Sequence, residues 1–166
     1  KEASFLAGLL SNIGKPVIVQ ICSKVENKER LDAQGRARQA RTPFDPKTWK
    51  MEGLRETILP QAISELHHIV GAAVGGRWGL PDQILNAIKF MTDPQKAPEP
   101  NQKLAWVIGL SHKISKPFGF GSEPETMSFE GDPALEALSL SPTEFNEILE
   151  DIPDLVSTQV SSFKTA

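Results

Sequence analysis

Three histidines, one cysteine and two polar residues at the end of an apolar helix are the side chains in this sequence with the means to do chemistry. His67 and His68 are adjacent on one helical stretch, so their side chains point about 100° apart and cannot both face one ion. His67 and His112 can form a pair, but zinc would want a third protein ligand, and the sequence singles none out. The expectation is therefore His67 hydrogen-bonded in the core, with His68 and His112 near the surface. Cys22 stands alone in "VIVQIC", which suits a buried, inert thiol, and no base lies near it in sequence. No Ser-His-Asp or Cys-His arrangement can be assembled. Ser11 and Asn12 close the apolar run "FLAGLLSNIGKPVIV" and read first as ordinary terminal polar residues.

The elements around these residues read as helices. Phe5, Leu6, Leu9, Leu10 and Ile13 follow the spacing of one buried helical face, and Gly14 is suited to a left-handed C′ position before Pro16 restarts the helix. Val17, Ile18 and Ile21 continue an apolar face through Val25. Residues 24–52 carry eight basic and five acidic side chains, with Gly35 and two prolines, and read as a helix end followed by a charged loop. The basic run with Arg36, Arg38 and Arg41 is a weak nucleic-acid signal, lacking aromatic stacking residues. Pro60 opens a helix through Gly75, with Ile63, Leu66, Val70, Ala73 and Val74 inward. "WGLP" then forms a turn that packs Trp78, and Ile84, Leu85, Ile88 and Met91 face the core of the next helix. Asn101 caps a helix bearing Leu104, Val107, Ile108 and Ser111 on one face. "KPFGFGSEPE" reads as a connection, because its glycines lack the spacing of a phosphate cradle. "SPTE" at 141–144 has the pattern of a capping box, and Pro153 starts a last helix. Residues 123–154 hold ten acids and no Lys or Arg, an acidic surface without a metal-binding spacing. The fold class is all-α.

Composition narrows the functional classes. With 166 residues, 39% hydrophobic and 23% charged, the chain suits one folded domain. A formal net charge of -3 gives no pull toward nucleic acid or an anionic membrane. No apolar run approaches the roughly 20 residues of a membrane span. One cysteine allows no internal disulfide and points to a reducing cytoplasm.

Three stretches in order, "FLAGLLSNIGKPVIV", "HHIVGAAVGGRWGLPDQILNAIKFMTDP" and "KLAWVIGLSHKISKPFG", resemble the HDOD domain, the HD-related output domain of bacterial signalling proteins. The likeness runs from about Phe5 to Gly119, and "WGLP" after the His67-to-Gly71 pattern is its most specific part. "LSLSPTEFNEIL" resembles the family's acidic end. The resemblance implies an HD-domain-like helical bundle over residues 1–166, with a charged loop or insertion at about 24–58 and an acidic helical part at about 123–166. It also implies further helices upstream of "FLAGLL", whose loss would expose apolar surface. The wider HD superfamily consists of metal-dependent phosphohydrolases. By this resemblance Ser11 and Asn12 stand where a His-Asp ligand pair would be, Met91 and Thr92 where a His-His pair would be, and His112 at a late Asp. Only His67 matches a ligand-type position. These vacated positions imply a pseudoenzyme with no cofactor. Its function would be signal transduction through a protein partner or an adjoining domain. The competing reading is a metal-dependent phosphohydrolase or a nucleotide-binding protein that keeps a pocket around His67.

Overall fold

The computed structural model describes residues 2–117 and 128–164, with side chains as far as residue 158. All regular elements among the described residues are helical. They are α1 (Glu2–Leu10), α2 (Gly14–Ala40), α3 (Leu59–Arg77), α4 (Asp82–Lys89), α5 (Gln102–Ser115), α6 (Pro133–Ala137) and α7 (Pro142–Lys164). A π-helical turn, Leu54–Ile58, leads into α3, and a 3-10 turn, Pro94–Lys96, separates α4 from α5. The loop "KPFGFGSEPE" lies almost wholly outside the described residues.

One core gathers Ala7 of α1, Ile84, Ala87 and Ile88 of α4, Met91, and Leu104 and Ile108 of α5. A second joins Trp106 and Leu110 of α5 to Ala134 of α6 and Phe145 of α7. Helix α5 therefore presents buried residues to both sides and ties the clusters together. This is why its buried set, Leu104, Ala105, Trp106, Ile108, Gly109 and Leu110, is wider than one stripe, while Ser111 is exposed.

Helix α1 buries a different face from the one its hydrophobicity suggests. Phe5 is 70% and Leu9 67% exposed, whereas Ala7 is fully buried and Ser11 only 6% exposed. Close packing on α4 and α5 selects the small side chains, and the large ones are left outside. Two glycines and a histidine make the inner face of α3. His67, Gly71 and Gly75 are buried one turn apart, while Leu66 is 44% exposed. Gly14 has no positive φ; it opens α2, and a Cβ there would collide with the backbone carbonyl of His67. Its missing side chain permits the close approach of α2 to α3.

Two expected breaks fall elsewhere, and one expected turn packs differently. Helix α2 runs through Gly35 to Ala40, so the charged loop begins only at Arg41, which takes a left-handed conformation (φ 54) at the helix end. One interior glycine costs about 1 kcal/mol relative to alanine, too little to stop a helix already propagating from a packed first half. Pro153 lies inside α7 and does not start a new helix. The expected turn at Gly79 (φ +72) is present, but Trp78 is 59% exposed at the end of α3 and does not pack between helices.

The stretch Glu2–Ala40 contains an 18-residue window of mean hydropathy 1.5, long and apolar enough by length and composition to cross a membrane. This differs from the reading of the sequence as lacking any membrane-length run. Along that stretch α1 ends at Leu10, and a turn at 11–13 separates it from α2.

Candidate functional site

The histidines converge. Helix α3 supplies His67 and His68, and α5 brings His112 alongside, its ring centroid 5.8 Å from that of His67. The His67 and His68 rings meet edge-on at 5.5 Å. His67 is 4% exposed. The other two are half-buried, somewhat deeper than the near-surface placement expected of them.

The protonation pattern of His67 follows from its hydrogen bond. Its Nδ1 lies 2.7 Å from the carbonyl oxygen of Ile63 one turn earlier, and a carbonyl can only accept. Nδ1 therefore carries the proton, and in the neutral ring Nε2 presents a lone pair. That Nε2 is buried and has no partner among the described residues. His68 Nε2 shares a 3.3 Å hydrogen bond with the Thr92 hydroxyl, leaving its buried Nδ1 unpartnered.

All three imidazoles are held below the ordinary histidine pKa. Burial is the main cause at His67, partly offset by the Ile63 carbonyl; the Lys15 ammonium adds a smaller depression. Burial and then His67 depress His68. His112 is pushed down to about 4 by burial, then by Lys15, His67 and Lys116. All the neighbouring side-chain charges acting on these rings are positive.

A cavity of about 680 Å³ opens here, lined among others by Lys15, His67, Met91, Thr92, His112 and Trp106. Lys113 lines it too, but its Nζ donates to Asp132 at 2.7 Å. Asp132 also caps α6 by accepting from the Ala134 N–H at 2.9 Å. Burial pushes the Asp132 carboxyl up, yet Lys113 and the Ala134 N–H outweigh it and hold it low. Asp93, an acid that itself lines the cavity, accepts from Lys96 at 2.7 Å.

Ser11 and Asn12 do not line this cavity. They border a second one of about 400 Å³ on the α1–α5 side, and His112 lines both. The Ser11 hydroxyl donates to the Gly8 carbonyl at 2.7 Å, so it is spent on its own helix. Of the positions singled out in the sequence, His67, Met91, Thr92 and His112 share a cavity, and Ser11 and Asn12 share the neighbouring one. Lys15 was missed. A lysine one residue past a glycine carries no signal in sequence, and only the Gly14–His67 contact shows where it lies.

No cluster of three His, Cys, Asp or Glu side chains able to hold a metal occurs among the described residues. Cys22 is half-buried on α2 and outside both cavities. Comparisons with family models, with curated proteins and with solved structures give no match.

Proposed function

We propose that this chain is a non-catalytic regulatory module of the HDOD type, acting through a protein partner or an adjoining domain. The observation that carries this reading is Lys15. Divalent-metal phosphohydrolysis needs anionic oxygen ligands around the ion. At the His67 cavity the charge acting on the imidazoles comes instead from an ammonium, which repels a divalent ion. The lining acid Asp93 is taken up by Lys96, and Asp132, beside the lining Lys113, is taken up by that lysine. The exposed Phe5 and Leu9 of α1 and Ile21 and Leu31 of α2 add apolar surface of the kind that a partner covers.

The test is metal analysis of the purified protein together with turnover of nucleotides, cyclic dinucleotides and simple phosphodiesters in Mn²⁺ or Mg²⁺. The expected result is no stoichiometric metal and no turnover. Turnover that disappears in His67→Ala would overturn the reading in favour of a phosphohydrolase.

A further inference from the structure

We infer that the His67 cavity is a binding site for a small organic anion with an apolar body, taken up together with one proton. This goes beyond the regulatory reading and stands without it.

The site is built from three features. The first is His67 itself, 4% exposed, its Nδ1–H committed to Ile63 and its Nε2 without a partner. Since Nδ1 faces its own helix, Nε2 lies on the far side of the ring, toward the space shared with His112. An unsatisfied polar atom at that depth is costly, and a ligand that satisfies it regains that cost. The second feature is charge. Lys15 from α2 has no ion-pair partner among the described residues and acts on both His67 and His112. The third is the wall, where Trp106, Leu110, Met91 and Pro60 offer apolar surface in a volume that suits a small organic molecule.

Anion and proton belong together because of the His67 tautomer. Neutral Nε2 only accepts, so it repels an anionic oxygen unless a proton lies between them. That proton comes with the ligand's acid group or is taken from water by the ring. Either way the complex holds one proton more than the free partners above the histidine's own titration range. The charged and titratable groups lining the site are Lys15 from α2, His67 from α3, Asp93, and His112, Lys113 and Lys116 from α5; His68 lies against His67, while Asp93 and Lys113 are paired with Lys96 and Asp132. Of these, the histidines titrate below the ordinary imidazole value, held down chiefly by burial. Phenylacetate stays ionised throughout, so its pH dependence reports on the protein alone.

The experiment is isothermal titration calorimetry on the intact chain in EDTA, from pH 6 to 8, with phenylacetate, phenyl phosphate, inorganic phosphate and benzyl alcohol as probes. EDTA separates this outcome from any metal-dependent activity. The expected result is saturable binding of phenylacetate or phenyl phosphate, which of the two showing the preferred head group. Affinity should rise by up to about tenfold per unit fall in pH. Inorganic phosphate and benzyl alcohol should each bind more weakly. Lys15→Met, at a half-buried position, should weaken binding at least fivefold while leaving the circular dichroism and the melt at pH 7, where the rings are neutral, unchanged. His67→Gln should flatten the pH dependence. If neither organic anion binds, or Lys15→Met binds as well as the parent, the inference fails. It also fails if benzyl alcohol binds as tightly as phenylacetate, which would make the cavity merely apolar. Should His67→Gln fail to fold, the Lys15→Met comparison and the parent's pH series still decide.

Discussion

Gly14 presses its backbone against the carbonyl of His67, with no room between them for even one methyl group. At Gly71, the next residue on the inner face of α3, an added Cβ would meet the Ile13 and Ile88 side chains and the Gly14 nitrogen only at ordinary van der Waals distance. The helix that carries Lys15 is thus positioned by the helix that carries His67.

Gly14→Ala should therefore destabilise the fold by about 2–3 kcal/mol, because the obstacle is backbone and cannot swing away. Gly75→Ala meets only the ends of Leu80 and Leu85 and should cost less. Urea unfolding of the two variants beside the parent measures the difference. Equal losses would show that α2 and α3 can separate without strain.

The histidine cluster makes stability depend on pH with a definite sign. Imidazoles whose folded pKa lies below the ordinary 6.5 bind protons less readily in the folded chain than in the unfolded one. Stability is then complete above pH 6.5 and falls as pH drops toward 4. For His112, allowing for its partial exposure, the loss should be about 2 kcal/mol. Chemical denaturation at pH 7 and pH 5 measures it, and His112→Gln should remove most of the slope. Lys15→Met should soften it as well, by relieving repulsion on the protonated rings.

Trp78→Ala should change stability by less than about 1 kcal/mol, since the ring is largely in solvent. Ile88→Ala, at a fully buried position in the core of α4, should cost about 2–5 kcal/mol. Melting temperatures of the two variants check the contrast. A severe loss at Trp78 would mean that the ring is covered in solution.

Asp132 ties the cavity-lining Lys113 to the first turn of α6 by bonding to both. Asp132→Ala should cost about 1–2 kcal/mol by removing the cap. Asp132→Asn keeps a capping oxygen and should cost less. Tryptophan fluorescence during denaturation reports this region through Trp106, which lines the same cavity.

Part of the punctuation was legible in the sequence, although neither Gly35 nor Pro153 interrupts its helix. Pro60 falls in the first turn of α3, the Gly79–Pro81 turn separates α3 from α4, and Ser141 with Glu144 forms the reciprocal cap expected of "SPTE", at 2.9 and 3.2 Å. These signals are local, and local geometry decides them. Facing is set by tertiary approach and was misread. Phe5, Leu9 and Leu66 are more apolar than Ala7, Ser11 and Gly71, but only the small residues fit where helices nearly touch. The convergence of His67 and His112 was an open possibility at the level of sequence. The cation beside them was not visible, because it depends on a contact between residues more than fifty positions apart.

Arg55 grips Glu26 with Nε and Nη2 on the two carboxylate oxygens, at 3.3 and 2.7 Å, pinning the turn before α3 to the middle of α2. The connection between those anchors, from Thr42 to Lys50, is mostly in solvent and carries two lysines and two prolines. A peptide bond cut there leaves both severed ends fastened, one by the α2–α3 interface and the other by this clamp. Limited trypsin digestion would then give a nicked protein that still migrates as one particle under native conditions. The same segment is the natural place to graft a reporter peptide without disturbing the histidine cavity.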